Sequence, residues 1–305
     1  MKIMNIGTTN LQASEISLGC MRISKMSDQA VDALIRTAWE AGINFYDHAD
    51  IYGGGKSEEV FARSVTRLGL KRDQLILQSK CGIRKGFFDF SKEHILNSVD
   101  SILRRLQTDY LDILLLHRPD TLIEPEEVAD AFSALHRTGK VRHFGVSNHN
   151  AAQIELLQAS MQQKLQANQL QFSMTNTGMI DHGLNVNMQI PRSIDRDGSI
   201  LDYCRLKKIT VQAWSPLQFG FFEGVFLDNP KFPELNRAID AMAKSFGVSN
   251  TTIAIAWILR HPARIQPIVG TTNPERVRQV AKASDVTLSR PQWYELYCAA
   301  GNALP

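Results

Sequence analysis

Short apolar runs alternate with longer stretches in which apolar residues recur every three or four positions, and this alternation persists along the chain. The runs at 15–18, 44–47, 75–80, 111–117, 141–147, 167–171, 210–214 and 265–269 have strand length and predict eight β-strands. The stretches between them predict helices. In 28–40, Val31, Leu34, Ile35 and Ala38 fall on one helix face. Segment 57–67 opens on Ser57-Glu58-Glu59, and 91–107 opens on Ser91 with Glu93 behind it, as helix N-termini do. The same logic covers 126–136, 151–161 and 274–283, while 236–246 and 251–260 form a helical pair before the last strand. Segment 176–197, punctuated by Gly, Asn, Asp and Pro, breaks the alternation and predicts an irregular excursion after strand six.

Eight strands, most followed by a helix and with no Pro/Gly linker between them, predict one α/β domain over residues 1–305. The architecture expected is a single (β/α)8 TIM barrel. A doubly wound sheet is the competitor, but it would carry GxGxxG after its first strand, and none occurs there. The opening MKIMNIGTTNLQAS predicts an N-terminal β-hairpin closing the barrel floor.

Composition narrows the function classes. At 44% hydrophobic and 21% charged, the chain can bury a large core. A net charge of +3 spread along the sequence gives no footprint for nucleic acid or an anionic membrane. The N-terminus has no apolar leader region, no run is long enough to span a bilayer, and a cytoplasmic protein is expected. Cys20, Cys81, Cys204 and Cys298 are far apart and form no metal-ligand pair. No metal is expected.

In a TIM barrel, side chains at the C-terminal ends of the strands face the reaction site. Those ends carry Asp47, Lys80 and His117, with Tyr52 in the loop of NFYDHADIYGGGKSEEV. Each alone has an ordinary explanation: a turn cap, a packing tyrosine, a surface lysine, a structural histidine. Together, at the ends of separate strands, they suit proton delivery to a carbonyl. Lys80 would lower the tyrosine pKa, Asp47 would hold the lysine, and His117 would donate to the carbonyl oxygen. No side chain supplies a hydride, so a nicotinamide cofactor is required. A non-redox barrel using Lys80 as a Schiff base is a competing option, but it leaves Tyr52, Trp214 and Arg276 without a role.

The stretches FYDHADIYGGGKSEEV, ILQSKCG, ILLLHRPD, KVRHFGVSNHN, ANQLQFS, VQAWSPL and PIVGTTNPERVRQ, in this order, resemble the aldo-keto reductase family over nearly the whole chain. The resemblance implies NADPH-dependent reduction of aldehydes or ketones to alcohols. Asp47, Tyr52, Lys80 and His117 match the catalytic tetrad, with Tyr52 as general acid. Ser147, Asn148 and Gln169 match the groups that hold the nicotinamide carboxamide. Trp214 falls where the family usually stacks a tyrosine, and Ser215, Pro216 and Leu217 would follow the pyrophosphate. Gly270, Thr271, Thr272 and Arg276 match the segment for the adenosine 2′-phosphate, Gln279 faces adenine, and Met21 and Arg22 line the cofactor channel.

Two departures stand out. Gly270 replaces a common basic residue, which keeps NADH open as an alternative to NADPH, and His48 replaces a small hydroxyl residue. The partner expected is a small-molecule carbonyl compound, with oligomeric partners unassigned. Phe87, Phe88 and Phe90 after Lys80, and Phe219, Phe221, Phe222 and Phe226 after Trp214, could wall an apolar pocket or simply pack their loops. The resemblance also admits a second reading, an NADPH-binding regulatory subunit similar to potassium-channel β-subunits, with slow residual turnover.

Overall fold

The computed structural model describes all 305 residues, Met1–Pro305. Eight strands close into a parallel barrel: β1 (Ser17–Gly19), β2 (Phe45–Asp47), β3 (Ile76–Cys81), β4 (Leu111–Leu116), β5 (Val141–Ser147), β6 (Leu165–Gln171), β7 (Thr210–Trp214) and β8 (Gln266–Val269). Each strand pairs with its neighbours in sequence, and β8 closes the ring on β1 through Ile268↔Ser17 and Val269↔Leu18. The expected TIM barrel is what forms, with strand ends differing by at most two residues from the sequence reading.

The helices are α1 (Asp28–Glu40), α2 (Lys56–Leu68), α3 (Lys92–Leu106), α4 (Pro125–Arg137), α5 (Ala151–Ser160), α6 (Gly178–Leu184), α7 (Ile200–Lys207), α8 (Pro233–Phe246), α9 (Asn250–Leu259), α10 (Pro274–Ala281) and α11 (Arg290–Ala299). Ser91 caps α3 as the sequence suggested, its hydroxyl accepting from the His94 N–H. Helices α6, α7 and α11 were not foreseen. Helix α6 lies inside the expected excursion; it has Gly178 and Gly183 among seven residues and no apolar period to announce it. Tertiary contacts hold it instead: Met179 and Ile180 are buried, and Tyr297 Oη donates to Asp181 Oδ1 at 2.7 Å.

The N-terminal hairpin pairs Ile3–Met4 with Ala13–Ser14. Its tip is tied to the lower rim of the barrel, where Gly7 N–H donates to Thr210 Oγ1 and Thr8 N–H donates to Gln166 Oε1, both at 2.7 Å. Met4, Ile6 and Ala13 pack with the inward side chains Phe45, Ile76, Ile113, Leu115 and Ala167. The lower lumen is thereby filled with apolar side chains and its floor is closed by the hairpin, as expected. Outside the barrel lumen, 66 buried residues, from the outward faces of the strands and the inward faces of the helices, form one continuous core. No helix is long and apolar enough to cross a membrane.

Candidate active site

Inward side chains alternate along a barrel strand, so residues two apart share the lumen. On β3 this places Gln78 and Lys80 inside, while Ser79 points outward and donates to Glu58 of α2 at 2.7 Å. Asp47 ends β2 beside them, in register with Gln78. The Lys80 ammonium is completely buried and fully engaged. It donates to Asp47 Oδ1 at 2.8 Å, Asp47 Oδ2 at 2.7 Å and the His48 carbonyl at 2.7 Å. Its fourth contact is Tyr52 Oη at 3.3 Å. A buried charge is tolerated only when paired and hydrogen-bonded, and here both charges are.

The loop after β2 carries Tyr52 back over this pair. Gly53, Gly54 and Gly55 have φ of 60°, 65° and 91°, in the left-handed region. A Cβ at Gly53 would lie 2.6 Å from Ser24, and one at Gly55 would lie 2.7 Å from Arg105. No other residue turns this corner without displacing its neighbours. His117, just past β4, meets the Tyr52 ring edge-on with centroids 6.0 Å apart.

The electrostatics differ in one respect from the sequence expectation. Burial raises the Tyr52 pKa, and the Lys80 charge offsets this only in part. The phenol therefore stays protonated at neutral pH. Burial alone would lower Lys80, yet the charge of Asp47 and the contact with Tyr52 outweigh it, so the net direction is upward. His117 is held well below its ordinary value by burial and by the nearby Lys80 and Arg118, which makes it a neutral ring. Its Nδ1 is buried without a partner.

The sequence reading missed what lies beneath Asp47. Gln78 Nε2 donates to Asp47 Oδ1 at 2.6 Å and to Gln212 Oε1 at 2.9 Å. Gln169 Nε2 reaches the same two acceptors at 3.0 and 3.3 Å. Gln212 donates in turn to Gln266 Oε1 at 2.9 Å, and Gln266 to the Ser14 carbonyl at 2.8 Å. A ladder of amides thus runs from the hairpin to Asp47 with every N–H2 group in use. The signal was present as a glutamine in each of β3, β6, β7 and β8, but only strand register shows that they meet.

His48 is another buried surprise. Its ring touches Phe61 edge-on at 4.6 Å and neither nitrogen has a partner, while burial lowers its pKa to about 3. It behaves as an apolar filler and contributes its backbone carbonyl, not its imidazole, to Lys80.

A cleft of about 350 Å³ opens above, in the size range of small-molecule sites. Asp47, Tyr52, His117, Ser147, Asn148 and Gln169 line its base. Ser147 Oγ donates to the Gln169 carbonyl at 3.0 Å, Asn148 Nδ2 to Ser147 Oγ at 2.8 Å, and the Trp214 indole to Asn148 Oδ1 at 3.0 Å. Ser215, at φ 52°, turns the chain so that Pro216 and Leu217 continue along the wall. Met21, Arg22, Gly270, Thr271 and Arg276 form the far rim. Arg276 lies in the first turn of α10, whose N-terminus is capped by Asn273. Thr272 and Gln279 are outside the cleft; Thr272 is exposed, and the Gln279 carbonyl accepts from Thr252 Oγ1 at 2.8 Å.

Of the phenylalanines considered as pocket walls, only Phe221 and Phe222 reach the cleft, where they pack on Trp214. Phe219 and Phe226 are buried. Phe87 and Phe88 sit on an exposed hairpin, and Phe90 is buried against Gly82. That wall does not exist, because the loop after β3 folds outward. Ile83 from the same loop borders the cleft instead.

With that geometry in view, residues 15–297 match the Aldo/keto reductase family model. The chain belongs to the aldo/keto reductase family. It is 36% identical over 304 residues to a 6-dehydroglucose reductase of Agrobacterium fabrum, covering 95% of each chain. It is 35% identical over 305 residues to the oxidoreductase YcsN of Bacillus subtilis, again covering 95% of each. An aldo-keto reductase of Klebsiella pneumoniae solved in complex with NADPH superposes with a TM-score of 0.78 at 26% identity, covering 97% of this chain and 93% of that one. This aldo/keto reductase is accordingly an NAD(P)H-dependent oxidoreductase that uses a nicotinamide cofactor to reduce carbonyl groups of small molecules.

The residues around the cleft fit such a cofactor. Arg22 and Arg276 are exposed cations with no ion-pair partner, and the N-terminus of α10 adds its dipole beside Arg276. A Cβ at Gly270 would meet nothing within 4 Å, so the rim there is open. Trp214 offers a flat aromatic face, backed by Phe222 at 5.7 Å.

Proposed function

We propose that this protein reduces an aldehyde or ketone to an alcohol, with NADPH preferred over NADH and Tyr52 as general acid. The observation that carries the reading is the Lys80 ammonium bridging Asp47 and the Tyr52 hydroxyl at the floor of the cleft. Arg22, Trp214, Gly270, Thr271 and Arg276 would hold a nicotinamide dinucleotide along the cleft, and that cofactor would supply the hydride when bound. The chain's own residues manage the proton and the orientation.

Tyr52 keeps its proton because burial disfavours the phenolate. It releases that proton only to a strong base, which the alkoxide oxygen of a reduced carbonyl is. Once the proton has gone, the Lys80 charge stabilises the phenolate left behind, and Asp47 keeps Lys80 charged and in place. A neutral His117, protonated on the ring nitrogen that faces the cleft, donates to the carbonyl oxygen and polarises it. Ser147, Asn148 and Gln169 would orient the nicotinamide carboxamide, and Trp214 would stack on the ring. Phe221 and Phe222, exposed at the cleft mouth, would limit water on that side once a substrate packs against them. The pair of guanidiniums at the rim, Arg22 and Arg276, supports preference for the phosphorylated cofactor.

NADPH oxidation should be measured against a panel of aromatic aldehydes, dicarbonyls, aldoses and ketones, with NADH in parallel. Turnover on at least one class, lost by about three orders of magnitude in Tyr52→Phe while NADPH still binds, is the expected result. Tight NADPH binding with no turnover on any carbonyl would instead point to the regulatory role.

A further inference from the structure

We propose that Arg118 is a specificity-determining residue that binds an anionic group on the carbonyl substrate: a carboxylate, sulfonate or phosphate ester. This rests on the reductase reading of the site. Strand β4 ends at Leu116, so His117 and Arg118 are the first two residues beyond the sheet, and both border the cleft. The guanidinium carbon lies 5.7 Å from the Trp214 ring and 6.0 Å from that of Phe221, next to the Tyr52–His117 pair.

Arg118 is half-buried, yet it makes no salt bridge and no side-chain hydrogen bond within the protein. The nearest acid in sequence, Asp120, is turned away, accepting from the Phe90 and Leu122 N–H groups. Three other cations that are half-buried or buried are matched by acids: Arg72 meets Asp112 at 2.7 Å, Arg105 meets Glu58 at 2.6 Å, and Lys80 meets Asp47 at 2.7 Å. A partly desolvated guanidinium without a counter-charge is costly, and a charge-assisted pair would relieve that cost.

The cleft has nothing of its own to offer as the partner. It is lined by three guanidiniums, Arg22, Arg118 and Arg276, and by one carboxylate, Asp47, which Lys80 already neutralises. Arg22 and Arg276 stand on the cofactor rim, leaving Arg118 beside the carbonyl position. Trp214 and Phe221 lie at the outer edge of cation–π range and hold the guanidinium at the cleft wall, where its fork can meet a bidentate acceptor. A cationic substrate would be repelled by the same field.

The test compares kcat/KM for 3- and 4-formylbenzoate with the isosteric neutral 3- and 4-formylbenzamide, and for 4-formylbenzenesulfonate as a second anion. Wild type should favour at least one anion by about tenfold or more, the size expected of one charge-assisted pair. Arg118→Met should bring that ratio to about one, and Arg118→Lys should leave an intermediate value. Using the ratio cancels any general loss of activity in the variants. A wild-type ratio near one, or a ratio that Arg118→Met does not change, overturns the proposal.

Calorimetric titration of benzoate into NADP+-saturated protein reads the anion site without turnover. Binding that weakens about tenfold in Arg118→Met supports the site. Equal affinity in the two proteins overturns it. If neither aldehyde turns over while benzoate binding still depends on Arg118, the reductase reading fails and the anion site stands.

Discussion

The indole N–H of Trp214 donates to Asn148 Oδ1 at 3.0 Å, tying the aromatic platform of the cleft to a residue proposed to hold the nicotinamide carboxamide. Asn148 itself sits at φ 59°, a left-handed conformation that asparagine tolerates, and its amide nitrogen is bonded to Ser147 Oγ at 2.8 Å. A phenylalanine at 214 would keep the stacking face and remove the donor. Trp214→Phe is expected to weaken NADPH binding by about fivefold, corresponding to one hydrogen bond of about 1 kcal/mol. Isothermal titration of NADPH into both proteins checks this; an unchanged Kd would mean that the platform works through its face alone.

Asp47 and Lys80 form an almost wholly buried pair, with Asp47 just reaching the cleft floor. Removing one partner strands the other. Lys80→Met should abolish turnover and destabilise the fold by about 3–5 kcal/mol, while adding Asp47→Asn should recover part of that loss. Urea denaturation of the single and double variants measures it, and a double variant less stable than Lys80→Met would contradict the pairing.

Asp50 lies under the Tyr52 loop with Oδ1 buried and unpartnered. Burial, reinforced by the Glu58 charge, raises its pKa from 3.8 to about 7. Between these values the folded protein holds a proton that the unfolded chain releases, so this group's contribution to stability is full below about pH 4 and is lost as pH rises through about 7. Asp50→Asn should therefore reduce the fall in urea midpoint between pH 5 and pH 8. An identical fall in both proteins would remove Asp50 from the account.

Gly270 occupies a rim position where an added side chain meets no neighbour within 4 Å. Its backbone is not in the left-handed region, so a larger residue costs no strain. Gly270→Lys would add a third cation near Arg276 and is expected to raise the NADPH-over-NADH preference about tenfold, with little change in melting temperature. Steady-state kinetics with both cofactors decide it. A ratio that stays constant would place the 2′-phosphate elsewhere.

The sequence by itself determined the barrel and the order of its chemistry. Parallel strands buried on both faces read as short continuous apolar runs, and their spacing against amphipathic helices leaves few topologies. Strand ends therefore located Asp47, Lys80 and His117, and the glycines at 53–55 marked the turn that returns Tyr52. Runs apolar on both faces, however, conceal which residues point into the lumen. Strand register alone decided that Gln78, Gln169, Gln212 and Gln266 join into one ladder under Asp47.

Loops obey the same limit. Phe87 and Phe221 look alike in sequence, yet one lies on an exposed hairpin and the other against Trp214, because loop direction depends on what packs behind it. The direction of the Tyr52 shift was likewise a tertiary matter. Lys80 pulls the pKa down, as its charge requires, but the depth of burial around the phenol is a property of the whole fold, and it wins.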